Sequence, residues 1–172
     1  PINNATMLEN FIEKLFSKHA KREIYADRFD FKNKVRLLSE IAHQMLVVDD
    51  TDYRMTSRSL IDFIDDHLKS NKFDMVQASK VLEHFVTHGI LMEEQDGETV
   101  YMRYRFSCFM HYFLMKKMEF DDEFKTKVLK PNTMLMFPEE IELYTGTKRD
   151  AVDVLNIVVE RMEAVYSQTI AE

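Results

Sequence analysis

Glycine is scarce in this chain: Gly89, Gly97 and Gly146 are the only three in 172 residues. None begins a G-x-x-x-x-G-K-[ST] or G-x-G-x-x-G pattern, and backbone cradles for phosphate need glycine where the chain must approach the ligand or take positive φ. The chain by itself is therefore expected not to bind a nucleotide in a phosphate loop. Cysteine is equally thin, since the single Cys108 cannot close an internal disulfide and gains nothing from an oxidising compartment. No apolar run approaches the roughly 18 residues that a membrane span requires, and no signal-peptide start is present. Positive charge is in deficit as well, with 23 Lys and Arg against 30 Asp and Glu, a formal net charge of −7. These features describe an acidic cytoplasmic globular chain with no membrane partner. A Pro1 start without initiator Met, running almost at once into a helix, is read as an excised piece of a larger polypeptide.

What the chain does have is apolar periodicity. Residues 6–19 repeat Leu8, Phe11, Ile12, Leu15 and Phe16 at helical spacing, and Thr6 with Glu9 fits a capping box. Asn33 opens a second helix lined by Leu38, Ile41, Ala42 and Met45, which Asp49, Asp50 and Asp52 end. Tyr53, Arg54 and Met55 read as extended. Thr56 then caps a helix carrying Leu60, Phe63, Ile64 and Leu68. Residues 74–88 form the next helix, with Ala78, Val81, Leu82 and Phe85 inward and Gly89 as its left-handed terminator. Segments 90–94 and 99–106 flank Gln95-Asp96-Gly97-Glu98, whose Asp-Gly pair signals a β-hairpin. Helices follow at 106–118, 120–129 (closed by Pro131), 138–145 (stopped by Gly146) and 150–167, the last with Val154, Leu155, Val158, Met162 and Val165 in register.

The order predicts a mainly α protein: a winged-helix domain (helix-turn-helix plus β-hairpin wing) over 31–130, flanked by an N-terminal helical segment over 1–30 and a C-terminal helical extension over 131–172. A winged helix first suggests a transcription regulator that binds DNA, with its second helix in the major groove. Charge argues otherwise. The recognition helix offers Lys80 against Asp74 and Glu83, while the wing sets Glu93, Glu94, Asp96 and Glu98 where phosphates would lie. Phosphate contacts dominate affinity through counterion release, so this edge repels nucleic acid and suits a protein partner.

Other constellations read as structural. His84 and His88 share a helix face at i, i+4 beside Glu83, but the order is not His-Glu-x-x-His and no third ligand cluster accompanies them, so they are taken as packing residues and no metal is assigned. Cys108 and His111 suggest a thiol and base, yet lie among Phe106, Phe109, Tyr112 and Phe113, where a cysteine acts as a small buried hydrophobe. The acidic runs at 49–52, 121–123 and 139–142 sit at helix ends, where capping and the helix dipole explain them. Twelve methionines and thirteen phenylalanines suit a Met-rich core, and hint at a module that repacks between states.

Several ordered motifs carry a family resemblance. Pro1 with Asn4-Ala5-Thr6-Met7-Leu8-Glu9-Asn10-Phe11-Ile12, Phe31-Lys32-Asn33-Lys34 leading to Leu37-Leu38-Ser39-Glu40-Ile41-Ala42, and Gly89-Ile90-Leu91 are similar to segments that follow the nucleotide-binding core of bacterial STAND-type ATPases of the NACHT-like group. Tyr104-Arg105-Phe106-Ser107-Cys108-Phe109-Met110-His111-Tyr112-Phe113-Leu114-Met115 resembles the family's wing-to-helix element. Phe137-Pro138-Glu139-Glu140-Ile141-Glu142-Leu143-Tyr144-Thr145-Gly146 with Lys148-Arg149-Asp150 looks like the helical region beyond.

The resemblance implies a non-catalytic regulatory module of an antiphage-defence ATPase. Its partners would be the ATPase core and neighbouring domains of the same polypeptide, and oligomerisation would follow opening. ATP or ADP and Mg would belong to the parent, with no cofactor in this chain. Relatives often place a histidine of the wing-to-helix element on the β-phosphate of ADP. Phe106 stands there in this sequence, with His111 five residues on in a place often held by an acid. Arg103 and Arg105, which strand alternation puts on one exposed face, could serve in its stead. The implied nucleotide-proximal positions are therefore Arg103, Arg105 and Phe106, and the catalytic set is empty.

Overall fold

The computed structural model describes residues 4–17, 29–148 and 151–170, the side chains of 153, 165 and 168–170 excepted. In chain order the elements are α1 (Asn4–Ser17), α2 (Phe31–Val48), β1 (Arg54–Thr56), α3 (Ser57–Ser70), α4 (Ala78–Thr87), β2 (Leu91–Asp96), β3 (Thr99–Tyr104), α5 (Ser107–Phe120), α6 (Asp122–Val128), α7 (Pro138–Thr147) and α8 (Val152–Ile170), with a 3₁₀ turn at Met134–Met136. The molecule is mainly helical, and its strands form one antiparallel sheet in the order β1-β3-β2.

Capping chemistry sets most boundaries. Asp30 accepts from the Asn33 amide at 2.9 Å, so α2 opens two residues before the expected Asn33. Thr56 caps α3 through the Ser59 amide at 3.2 Å, as its sequence position predicts. At the first helix the expectation fails: α1 already begins at Asn4, which leaves Thr6 inside its first turn. Glu9 turns instead to Lys116 of α5, 2.7 Å away. Asp74 lies in a turn before α4, whose helical residues start at Ala78. Gly89 ends that helix with φ +72°. Gly146 does not end α7, which runs on to Thr147.

The hairpin is tighter than expected. Asp96 pairs with Thr99, which leaves only Gly97 and Glu98 in the loop. Positive φ falls on Gly97, at +60°, and not on Glu98. This places glycine at the first loop position, the type II′ pattern, in place of the Asp-Gly turn. Across the sheet Met55 opposes Met102 and both are buried, while the alternate residues Arg54, Arg103 and Tyr101 share the other face.

The core is centred on α5. A helix apolar all round has to be surrounded, and Phe109, Tyr112, Phe113, Leu114, Met115 and Met118 are all buried, packed mainly by α2 and α7. Tyr104 at the end of β3 is buried and donates its hydroxyl to the Leu38 carbonyl at 2.6 Å, tying the sheet to α2. Seven methionines, namely Met45, Met55, Met102, Met110, Met115, Met118 and Met134, are buried, as a Met-rich core requires. α8 buries Val154 but exposes Leu155 (48%) and Met162 (61%), so its predicted apolar register divides between inside and outside.

Two lysines enter the interior on α5 and neither is left alone, since a buried cation without a partner is costly. Lys116 bridges Glu9 and Glu119 at 2.7 and 3.1 Å. Lys117 meets both carboxylate oxygens of Glu40 at 2.9 Å and Asp121 at 2.8 Å. The hydrogen bond from Lys117, then that from the Phe124 amide, holds the Asp121 carboxyl below the usual aspartate range. A folded pKa below the unfolded one gives stability that is fully present above the unfolded value, about 3.9, and that is lost as pH falls through the folded value. Lys117, Lys127, Lys130, Glu40, Asp122, Glu123 and His43 are charged or titratable groups around it. Asn caps helices about as well as Asp, so Asp121→Asn isolates the charge. Its urea midpoint is expected to depend less on pH than wild type below about pH 5, and identical acid limbs would contradict the assignment.

Candidate functional site: the β3–α5 junction and its flanking clefts

The three positions singled out in sequence lie where β3 passes into α5, and they do not face one cavity. Arg103 lies on the outer face of the sheet with its Nε 2.7 Å from Glu94 Oε2. It borders a small cleft of about 210 Å³ that also touches Tyr53, Tyr104, Met110 and Phe137. Arg105 turns to the other side. Its backbone amide donates to the Ile90 carbonyl at 2.9 Å, and its side chain lies over Gly89, where an added Cβ would stand 3.5 Å from Nε. Arg105 and Phe106 share a second cleft, about 350 Å³, with Phe11, Leu15, His88 and Phe109. Phe106 is the N-cap residue of α5, extended at φ −128° and 53% exposed, with its ring edge-on to Phe109 at 5.3 Å.

His84 of α4 and His88, the C-cap residue of that helix, pack against α1. His84 and His88 lie 3.9 Å apart between ring centroids, and each stacks on Phe16 of α1 at 5.9 Å. Lys80, the cation of the supposed recognition helix, is held by Glu83 at 2.6 Å.

Arg54 was not singled out in sequence and organises the wing. Its guanidinium lies within 3.2–3.7 Å of Asp49, Asp52, Glu94 and Asp96, and 4.3 Å over the Tyr101 ring. Two acidic segments distant in sequence thus converge on one cation. Arg54 on β1 is separated from Glu94 and Asp96 of β2 by the middle strand β3. Its side chain reaches them across Arg103 and Tyr101, and no strand-pairing rule on the sequence would have found it. On this face two guanidinium groups, those of Arg54 and Arg103, meet four carboxylates, so the surface stays electronegative.

A cavity of about 740 Å³ opens between α1, α5 and α7 and is mostly apolar. Met7, Phe11 and Leu143 line it together with Lys14, Cys108 and His111. Cys108 is exposed here, not buried among the aromatics as expected. Its helix turns Phe109, Tyr112 and Phe113 toward the core, which leaves position 108 on the cavity side. His111 meets Glu140 of α7, Nδ1 to Oε1 at 2.8 Å, and Glu140 is only 2% exposed. That hydrogen bond raises the imidazole above its ordinary value, against the opposing pull of burial. The run at 139–142 therefore does more than open a helix, because one of its carboxylates is sequestered against α5. Glu139, His111 and Glu140 offer ligand atoms all within 4.8 Å of one another.

Among the described residues no helix is long and apolar enough to cross a membrane. Comparison with curated proteins and with solved structures gives no match. Residues 53–114, from the start of the sheet through the hairpin into α5, match the family model described as Novel STAND NTPase 4. This stretch, which contains the whole β3–α5 junction, is thus similar to a STAND NTPase family and supports an association of the chain with STAND NTPases.

Proposed function

We propose that the chain is the regulatory winged-helix and helical module of a STAND-type ATPase of the NACHT-like group, acting in bacterial antiphage defence. The observation that carries the reading is the family match across 53–114. The order helix, strand, helix, helix, strand, strand from α2 to β3, closed by a β1-β3-β2 sheet, supports a winged helix. In this reading 31–130 is the winged-helix domain, 1–30 leads into it and 131–172 extends it. The ATPase core of the same polypeptide supplies the phosphate loop, ATP or ADP and Mg, and this chain supplies no catalytic group.

The module docks on that core in the resting state. It moves away as a packed body when ATP and a trigger favour the open form, which then oligomerises. Arg105 and Phe106, projecting together at the head of α5, form the edge toward the nucleotide. Arg103 is drawn off by Glu94.

Charge separates this reading from a DNA-binding regulator. Lys80 is held by Glu83, and the wing crowds carboxylates around Arg103 and around Arg54 of β1. Mixed with the ATPase core of its own polypeptide, the chain is expected to elute as a one-to-one complex in gel filtration and to ignore mixed-sequence duplex. Duplex binding that weakens steeply with salt, without a complex with the core, would overturn the proposal in favour of a regulator.

A further inference from the structure

We propose that His111, Glu139 and Glu140 form a divalent-metal site of the zinc class that clamps the start of α7 to α5. The three offer ligand atoms within 4.8 Å of one another. Two of them, His111 Nδ1 and Glu140 Oε1, already stand 2.8 Å apart. Zinc takes nitrogen and carboxylate oxygen at about 2.0–2.2 Å, so adjacent ligands on one ion stand roughly 3 Å apart, close to the distance present.

The independent observation is Glu140 itself. The residue is 2% exposed, and its Oε2 has no hydrogen-bond partner while Oε1 faces His111. A buried carboxylate oxygen left unsatisfied is costly, and an ion held between the two helices would engage it. One imidazole with two carboxylates is a borderline donor set that suits zinc better than the all-oxygen shells of calcium or magnesium. His111 and the exposed Glu139 line the α1–α5–α7 cavity and Glu140 lines the adjoining small cleft with His111, so the cluster can be reached from solvent. The proposal does not depend on the reading of the β3–α5 edge as facing nucleotide: His111 and Glu140 border the cleft beside Arg103, while Arg105 and Phe106 line a different one.

The test uses the whole chain stripped with chelator, titrated with Zn²⁺ by calorimetry and with Co²⁺ by visible absorption. One equivalent of Zn²⁺ is expected to bind and to raise the melting temperature. Glu139 is exposed, so Glu139→Gln should fold normally and bind at least about tenfold more weakly. His111→Asn, checked for fold by circular dichroism, should do the same. Failure of wild type to bind, or wild-type affinity in both variants, would overturn the proposal. So would a sulfur-to-cobalt charge-transfer band abolished by Cys108→Ser, because the thiolate would then belong to the ligand set.

Discussion

Phe113→Ala is expected to lower the unfolding free energy by about 4 kcal/mol, within the roughly 3–5 kcal/mol range for removing a fully buried aromatic ring. The ring is 0% exposed and sits between Tyr104 at 5.5 Å and Tyr112 at 5.1 Å. It lies on the helix that α2, α6, α7, β3 and α1 all contact, so the vacated space is bounded on every side and collapses poorly. Typical domains are stable by only about 5–15 kcal/mol, so the variant should unfold at a far lower urea concentration with an unchanged transition slope. A loss under about 1 kcal/mol would mean that α5 is not the centre of the core.

The second large effect comes from the His111–Glu140 ion pair, which joins α5 to α7. His111→Leu leaves the Glu140 carboxylate enclosed without its partner, and breaking such a pair costs about 3–5 kcal/mol. The lower end applies, because the His111 side chain is 30% exposed to the cavity and water can enter. Replacing both residues, His111→Leu with Glu140→Leu, removes the stranded charge and should restore stability to within about 1 kcal/mol of wild type. The cycle is run with chelator present, so that it reads the side-chain pair alone. Equal losses in the single and double variants would show that packing, not charge, holds α7 in place.

The helices and the hairpin were legible because each rests on a local signal. Apolar spacing marked α2, α3 and α4, Thr56 capped α3, and Gly89 and Gly97 took positive φ. What was not legible depends on chain segments meeting. Arg54 gathers carboxylates from two segments only after β1 pairs with β3. Glu140 looked like one more acid at a helix start and became a buried partner of a residue 29 positions away. Cys108 was misread because aromatic neighbours in sequence lie on the opposite side of a helix. Thr6 and Glu9 spelled a cap, yet α1 starts earlier and Glu9 answers to Lys116. Of the three nucleotide-proximal candidates, strand alternation placed Arg103 and Arg105 on one face. Separating them took Glu94 on one side and Gly89 on the other.

Bound ADP, measured in the intact polypeptide after purification, tests the account most directly. Arg105→Glu and Phe106→Ala are expected to reduce retained ADP by about tenfold, inside the usual span of inter-site coupling, and to shift the protein toward oligomers. Arg103→Glu, at a residue already engaged by Glu94, should change retention far less. Retention equal to wild type in both Arg105→Glu and Phe106→Ala would contradict the placement of the β3–α5 edge against the nucleotide-binding core.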